Sequence, residues 1–251
     1  YRNHSEICGK IPYLMKLFFG EIHDNIAILN EEESHHFAKV LRGNEGDIVH
    51  VTDGKGNLAE VEINSISKKA VEGNIINLKT DFEKKNYYLH LAIAPTKTME
   101  RLEFFLEKAT EIGIDEITFL QTFHSERKNI KIERIEKIVQ SATKQSLKAY
   151  LPKVNDLTKF NDFIKSDFEG FTKCIAHCEE DIERTPLRYV LSENPQKILI
   201  MIGPEGDFSR DEILTAEEHN FAGISLGHQR FRTETAALQA VFAVDWDSKN
   251  S

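Results

Sequence analysis

Two copies of one pattern near the C-terminus constrain the fold most. Each copy is an apolar strand that ends at a glycine and is followed by a helix. The first strand is predicted over 197–202 and the second over 223–226, with Gly203 and Gly227 at their ends. In open α/β sheets, ligands bind just beyond the carboxyl ends of such strands. The stretch 197–244 therefore predicts a sheet with one ligand pocket formed by two loops.

The first of these loops contains two glycines, Gly203 and Gly206, on either side of Pro204. Glycine permits a positive φ or the close approach of another molecule to the backbone, and proline stiffens the turn. Ser209 and Glu212 have the spacing of a capping box, which predicts that a helix begins after Ser209.

The second loop leads into a helix whose sequence begins Arg-Thr-Glu-Thr-Ala. Thr233 is predicted to cap this helix, and Glu234 lies in the first turn, where the helix dipole favours a negative charge. Taken singly, each loop is also explained as an ordinary turn between a strand and a helix. Neither loop has the pattern of a dinucleotide fingerprint or a phosphate loop, so a pyrophosphate ligand is not expected.

The chain changes character after residue 82. Before it, short strands, a hairpin turn at 53–57 and one short helix over 33–41 predict a small β-barrel. After a polar linker over 81–86, strands alternate with helices, which is typical of a mostly parallel sheet. The strands predicted in this second part cover 88–94, 116–121, 173–177, 197–202 and 223–226. The helices predicted there cover 99–112, 132–147, 157–166, 209–219 and 233–246.

Composition limits the class of protein. The 251 residues are 40% hydrophobic and 29% charged, as in a soluble globular protein, and no apolar run has the length of a membrane span. Three cysteines give no disulfide framework, which favours a reducing cytoplasm. Cys174, His177 and Cys178 lie close together, but they lack a second half of a zinc site, so no metal is expected.

The net charge of −9 argues against a nucleic-acid partner, but the distribution of charge weakens that objection. Between residues 122 and 154 there are eight basic residues and three acidic ones. Screening limits the reach of distant charge to about 8–10 Å, so such a segment can contact RNA in an acidic protein. From charge alone, a solvated helix face explains the segment equally well.

Both loop motifs have counterparts in one known family. The first motif is Ile202-Gly203-Pro204-Glu205-Gly206 with Ser209 and Glu212, and the second is Leu226-Gly227 followed by Phe231-Arg232-Thr233-Glu234-Thr235-Ala236. Further matching runs lie upstream, in Lys97-Thr98-Met99-Glu100-Arg101, in 108–113, in Ser125-Glu126-Arg127 and in Gln145-Ser146. Together these motifs resemble the RsmE family of SPOUT-class methyltransferases over nearly everything after Met15. Asp207, His228 and Phe231 depart from the usual family pattern, which more often has glycine, proline and leucine there.

The resemblance implies an α/β fold in two domains. A SPOUT methyltransferase domain with a C-terminal trefoil knot is expected over 83–251, preceded by a PUA-like RNA-binding β-barrel over 15–82. Residues 1–14 show no periodicity, and because Met15 resembles the start of the family they are expected to be a non-native or disordered extension. The resemblance also implies a homodimer in the cytoplasm, with no membrane partner.

The implied reaction is methylation of N3 of a uridine in the decoding region of 16S ribosomal RNA, within the small ribosomal subunit. S-adenosylmethionine is the implied methyl donor. Because N3 of neutral uridine carries a hydrogen, a base must remove it or a positive group must stabilise the resulting anion. Arg232 is the candidate for stabilising the anion, and Glu234 is the nearest candidate base, with Glu205 behind it. Complementarity to the helix dipole is the alternative role of Glu234.

The other candidate residues form two sets. The residues expected to hold S-adenosylmethionine are His177, Ile202, Gly203, Pro204, Glu205, Gly206, Leu226, Gly227, Phe231, Arg232, Thr233, Thr235 and Ala236. The residues expected to contact RNA are Lys39, Arg42, Lys97, Arg101 and Arg127, for which plain surface charge or salt bridges are the alternative.

Two other functions remain open at this point. The chain could be a SPOUT methyltransferase that acts on another RNA position, such as a ribose 2′-hydroxyl. It could also be an RNA-binding factor that keeps the fold without catalysis, although the intact Arg-Thr-Glu-Thr-Ala run argues against this. The missing phosphate loop argues against a nicotinamide-dependent enzyme.

Overall fold

The computed structural model describes residues 16–67 and 70–250. The chain divides into two compact units. The first contains the described residues up to Lys84 together with Lys144–Tyr150, and the second contains Lys85–Thr143 and the described residues from Leu151 onward. The structure thus assigns 144–150, which the sequence placed in the second domain, to the first unit. The predicted extension over 1–14 lies outside the described residues.

The first unit is built on a closed five-stranded β-barrel, which confirms the barrel predicted from the strand pattern. Its strands are β1 (Leu17–Ile22), β2 (Ile26–Leu29), β3 (Ile48–Thr52), β4 (Leu58–Ile66) and β5 (Val71–Lys79), in the order β1-β2-β5-β4-β3. The barrel closes because β1 also pairs with β3, in parallel. Alternate residues point inward along these strands, so Phe18, Val51 and Val61 are among those that form the core.

A short helix, α1 (Glu31–His35), follows β2 in the first unit. Asn30 caps it, since its side-chain oxygen accepts a hydrogen bond from the backbone N–H of Glu33 at 2.8 Å. The helix continues as a π-helical turn over His36–Val40, and Phe37 on this turn is buried in the barrel core.

The second unit is a seven-stranded sheet in which every neighbouring pair is parallel. Its strands are β6 (Tyr88–Ile93), β7 (Glu116–Gln121), β8 (Lys153–Lys159), β9 (Thr172–Ala176), β10 (Thr185–Pro186), β11 (Lys197–Ile202) and β12 (Ala222–Ser225). Their order across the sheet is β10-β12-β9-β11-β6-β7-β8. The helices that connect them are α2 (Met99–Ile112), α3 (Ile132–Gln145), α4 (Phe160–Phe163), α5 (Leu187–Leu191), α6 (Arg210–Glu218) and α7 (Thr233–Asn250).

Helices cover both faces of this sheet. Apolar residues of α2, α3, α5 and α7 pack on one face, and those of α4 and α6 pack on the other. Central strands such as β11 are therefore buried on both faces, which explains their continuous apolar sequence. The barrel and the helix-covered parallel sheet agree with the predicted fold class, while the trefoil knot stays a prediction. None of the helices in the described part of the chain has the length and hydropathy of a membrane-spanning segment.

The helix predicted over 157–166 is largely wrong. Residues up to Lys159 form the edge strand β8, which pairs with β7, and the helix covers only Phe160–Phe163. The strand was missed because a polar edge strand has neither an apolar run nor a clear alternation, so pairing with β7 decides its conformation. The short elements β10 and α5 were also missed.

A buried polar cluster lies on the α4 side of the sheet. His90 on β6 is 3% exposed, and its Nε2 lies 2.8 Å from Thr118 Oγ1. Burial lowers the pKa of His90 to about 4. Burial alone would raise the pKa of Glu116, but hydrogen bonds from Lys153 and Asn155 and the charge of His90 outweigh it and lower this pKa to about 2.

The lowered pKa values of His90 and Glu116 predict that acid destabilises the second unit. Both folded-state pKa values lie below the ordinary values of 6.5 and 4.5, so the unfolded chain binds protons at a higher pH than the folded chain. We expect the free energy of unfolding to fall between pH 6.5 and 4 because of His90, and between pH 4.5 and 2 because of Glu116. Urea unfolding across this range measures the effect. Glu116→Gln should flatten the lower part of the profile, and an unchanged profile in this variant would contradict the assignment.

Candidate active site at the carboxyl edge of the parallel sheet

The loop after β11 is the centre of the candidate site. A Cβ atom on Gly203 would lie 3.0 Å from the Phe208 ring, and one on Gly206 would lie 3.2 Å from the Cβ of His124. Neither glycine has a positive φ, and the left-handed residue of the loop is Asp207, with a φ of 63°. These two positions therefore favour glycine because neighbouring side chains lie close to the backbone, and not because the backbone is left-handed.

Asp207 fastens this loop to the loop after β9. Its Oδ2 accepts a hydrogen bond from the backbone N–H of Cys178 at 2.7 Å, and its Oδ1 accepts one from the N–H of Phe208 at 2.8 Å. Aspartate tolerates the left-handed region better than most residues other than glycine. The departure from the family pattern at this position thus keeps a backbone conformation that glycine also adopts and adds two hydrogen bonds.

We expect Asp207→Gly to lower the free energy of unfolding by about 1–3 kcal/mol, because two backbone N–H groups lose their acceptor while the left-handed backbone is still permitted. Asp207→Asn keeps one side-chain oxygen and should lose less. Urea denaturation of the three proteins measures both changes. A glycine variant as stable as the wild type would show that the carboxylate does not hold the loop.

Hydrogen bonds connect two further loops to the loop after β11. The backbone N–H of Lys97, after β6, donates to Oε1 of Glu205 at 3.1 Å. The Nδ1 of His124, after β7, donates to the carbonyl oxygen of Asp207 at 3.1 Å. These hydrogen bonds connect the loops that follow β6, β7 and β11.

The predicted capping box at the start of α6 is confirmed. Ser209 Oγ accepts from the N–H of Glu212 at 3.3 Å, and Glu212 Oε2 accepts from the N–H of Ser209 at 2.9 Å. The other oxygen of Glu212 accepts from the backbone N–H of Phe123 at 2.8 Å. Glu212 thus caps the helix and also holds the loop after β7, a second role that the spacing did not indicate.

The strand β9 lies between β11 and β12, so the two predicted loops do not follow neighbouring strands. His177, directly after β9, is 4% exposed, and burial lowers its pKa. Within the described part of the chain, neither ring nitrogen has a hydrogen-bond partner. A buried imidazole with two unpaired nitrogens is suited to bind a ligand group or a water molecule. The structure therefore places His177 directly after the strand that lies between β11 and β12, the two strands that precede the predicted loops.

The loop after β12 is more exposed. Gly227 has a φ of 134°, and no atom lies within 4 Å of the place where a Cβ would be. Glycine is therefore favoured here by the backbone conformation and not by a lack of space. His228 is exposed and Phe231 is half-buried. Leu226 packs against the core on the α7 face of the sheet.

The last predicted motif lies at the start of α7. The carbonyl oxygen of Arg232 accepts from the N–H of Ala236 at 2.8 Å, so Arg232 directly precedes the helix. The predicted capping role of Thr233 is wrong, because Thr233 is already helical and its side chain is buried. The Arg232 side chain is exposed, and no acidic partner for it is found among the residues that the structure describes. Thr235 is exposed and Ala236 is half-buried.

Glu234 is buried at the start of α7, where this helix packs against α2. Its side chain is 10% exposed, and its Oε1 lies 3.8 Å from Nε of Arg101. Its Oε2 is buried and has no hydrogen-bond partner in the described ranges. One carboxylate oxygen is therefore available to accept a hydrogen bond or a proton.

The residues expected to contact RNA have different surroundings. Lys39 and Arg42 are exposed in the first unit, and Lys97 is exposed in the second. Arg101 pairs with Glu234, as its salt-bridge alternative predicts. Arg127 donates from Nε to the carbonyl oxygen of Thr96 at 3.1 Å and from Nη2 to that of Lys97 at 2.7 Å.

Ion pairs neutralise part of the positive charge that the sequence places between residues 122 and 154. Arg134 and Lys153 form ion pairs with Glu103 and Glu116 in the second unit. Lys144 pairs with Glu33 in the first unit. Across residues 16–67 and 70–250, no cluster of His, Cys, Asp or Glu side chains is suited to hold a metal ion.

Comparisons with known proteins agree with this architecture. A family model described as an RNA methyltransferase domain matches residues 83–245, and one described as an RNA methyltransferase PUA domain matches residues 29–76. The ribosomal RNA small subunit methyltransferase E of Mesomycoplasma hyopneumoniae is 31% identical over 90% of this chain and 96% of its own length.

Two solved structures are similar over almost the whole chain. A probable rRNA-methyltransferase from Porphyromonas gingivalis has 36% identity and a TM-score of 0.78, with 90% of this chain and 95% of that chain covered. The ribosomal RNA small subunit methyltransferase E from Neisseria gonorrhoeae, bound to S-adenosyl methionine, has 26% identity and a TM-score of 0.75, with 92% and 96% covered. Since both units of the chain are matched, in sequence and in fold, the chain belongs to the ribosomal RNA small subunit methyltransferase E family.

Proposed function

We propose that this protein transfers a methyl group from S-adenosylmethionine to N3 of a uridine in the decoding region of 16S ribosomal RNA. The family supports an S-adenosylmethionine-dependent methylation of ribosomal RNA. The observation that carries the finer assignment is at the start of α7. There an exposed arginine without an acidic partner in the described chain is followed by a buried carboxylate with one unpaired oxygen.

The residues at the carboxyl edge fit the methyl donor. His177 offers two buried, unpaired ring nitrogens, and Gly227 leaves the backbone of the second loop open to close approach. The donor-binding set is the one expected from the sequence, residues 202–206, 226–227 and 231–236 except Glu234, with His177 between the two loops. When bound, S-adenosylmethionine supplies a methyl carbon that is already electrophilic because it is attached to a sulfonium.

Arg232 and Glu234 act on the uracil ring in this proposal. Glu234 Oε2 accepts the hydrogen of N3, which frees the nitrogen lone pair for attack on the methyl carbon. Arg232 donates hydrogen bonds to a carbonyl oxygen of the ring, where the negative charge of the deprotonated uracil is delocalised. The proton leaves on the carboxylate, and the remaining task of the site is to align N3 with the methyl group.

A homodimer is part of the proposal. Phe242 and Trp246 on α7 are exposed, and their rings stack with centroids 6.0 Å apart. Phe104 on α2, the helix that packs against α7, is also exposed. Exposed aromatic residues on adjacent helices are typical of a surface that another protein covers. Sedimentation of the full chain, with Trp246→Ala as the variant that should weaken association, tests this.

Contact with ribosomal RNA in the assembled small subunit is also proposed. The barrel belongs to the PUA type of RNA methyltransferases, and Lys39 and Arg42 are exposed on it. These cations suit the phosphate groups of RNA, which position a protein without reading the sequence.

Methylation of purified small ribosomal subunits tests the function. Mass spectrometry of 16S ribosomal RNA after incubation with protein and S-adenosylmethionine should show one added methyl on the uracil base of a single uridine. A methyl group on a ribose 2′-hydroxyl would instead assign the enzyme to another RNA position. Failure of the protein to bind S-adenosylmethionine in calorimetry would favour a non-catalytic RNA-binding factor.

A further inference from the structure

One aromatic side chain at the edge of the site has no role so far. Phe123, in the loop after β7, is 78% exposed, the highest exposure among the large hydrophobic residues of the described chain. The side chain of its neighbour His124 packs edge-on against it, with ring centroids 5.0 Å apart. The ring therefore presents apolar surface to solvent beside the loop that is proposed to hold the methyl donor.

The backbone under this ring is fixed. The N–H of Phe123 is bonded to Glu212, as described above, and Ser125 Oγ accepts from the N–H of Thr122 at 3.0 Å. Thr122 and Ser125 are both buried. An exposed ring on a loop held by hydrogen bonds from both sides loses little conformational freedom when a planar group stacks on it.

A cationic groove lies between this loop and the loop after β6. It encloses about 350 Å³ and is lined by Lys97, Glu126, Arg127, Lys128 and Asn129. The lining contains three cationic side chains and one carboxylate, and Nζ of Lys97 lies 3.0 Å from Oε2 of Glu126. Lys128 is exposed and has no ion pair among the described residues. The two bonds that Arg127 makes to carbonyl oxygens leave three of its five N–H donors unassigned.

We propose that this surface binds one unstacked nucleotide of the substrate RNA next to the target uridine, with the base stacked on Phe123 and a phosphate in the groove. The inference rests on the proposed function, because it takes RNA as the substrate. Stacking on an exposed aromatic ring together with neutralisation of the backbone by cations is how proteins hold single-stranded RNA. Phe123 is thus a positioning residue: it orients the RNA and does not touch the reacting atoms.

The test measures binding of a fluorescent 16S ribosomal RNA fragment that spans the decoding region, without methyl donor. Phe123→Ala is expected to raise Kd by about 5- to 100-fold. Phe123→Trp should restore binding, and Phe123→Leu, which is apolar but has no π-face, should not. Tyr189→Ala removes another exposed aromatic ring, on α5, and should leave Kd unchanged. Lys128→Gln should reduce the slope of log K against log salt concentration by about 0.7, the value for one phosphate contact on a single strand.

Three results would overturn the inference. Equal affinities of the wild type and Phe123→Ala would do so, as would an equal loss in Tyr189→Ala. Conversion of the protein from dimer to monomer by Phe123→Ala would show that a second copy of the chain covers the ring. Because binding is measured without catalysis, these results are distinct from failure of the proposed function, which is absence of methyl transfer by the wild type.

Discussion

Arg232→Ala is expected to lower kcat for methyl transfer by about 100- to 1000-fold, while binding of S-adenosylmethionine remains measurable. The guanidinium is exposed and lacks an acidic partner among the described residues, so its loss leaves no buried charge behind. Only the backbone of Arg232 contributes to the start of α7, through its carbonyl oxygen, and alanine retains that group. The free energy of unfolding should therefore stay close to that of the wild type.

The chain offers a matched control two residues earlier. Arg230 is exposed in the same loop, so Arg230→Ala removes the same charge at nearly the same place. This variant should retain most of the activity if the effect depends on hydrogen bonds from Arg232 rather than on the local potential. Arg232→Lys keeps the charge but not the paired donors, and it should recover only part of the rate. Single-turnover kinetics on small ribosomal subunits separate the chemical step from binding. Near-normal turnover in Arg232→Ala, or an equal loss in Arg230→Ala, would remove Arg232 from the mechanism.

The parts of the fold that were predicted well are those that local sequence determines. β11 has a continuous apolar run, β7 has one interrupted only by Thr118, and both were predicted to the residue. The edge strand β8 has no such run, and its conformation depends on β7, which lies more than thirty residues earlier in the chain. The predicted end of α3 is two residues late because Leu147 has a φ of 55°, a conformation that interrupts a helix and that leucine rarely adopts.

In the candidate site, too, the features set by local sequence were predicted and the contacts between distant parts of the chain were not. The two glycine loops and the capping box were predicted because their residues lie within a few positions of one another. The contacts that hold the loops could not be predicted, since His124 and Asp207 are 83 residues apart, and Phe123 and Glu212 are 89 apart. The position of β9 between β11 and β12 is likewise a property of sheet order, which hydrophobic periodicity does not encode.

Glu234→Gln is expected to reduce methyl transfer by about 100- to 10,000-fold, the range for loss of a general base. Glutamine preserves the shape of the side chain in a position where only 10% of it is exposed, but it cannot accept the hydrogen of N3. The remaining activity should rise with pH, because hydroxide in solution removes that hydrogen from a growing fraction of the bound uridine. Rates for wild type and variant across the neutral to alkaline range measure this difference.

The other role of Glu234 is to complement the dipole of α7, and the two roles make different predictions. A dipole interaction stabilises the folded protein by about 0.3–1 kcal/mol and has no reason to change the pH dependence of the rate. Asp211→Asn removes an exposed carboxylate from the first turn of α6 and is the matched control for such an effect. If Glu234 is the base, the glutamine variant loses activity far out of proportion to its change in stability, and the control loses almost none. A loss that is independent of pH and matched by a fall in stability would assign the carboxylate to the helix, and the base would then have to be sought elsewhere, with Glu205 as the next candidate on the same edge of the sheet.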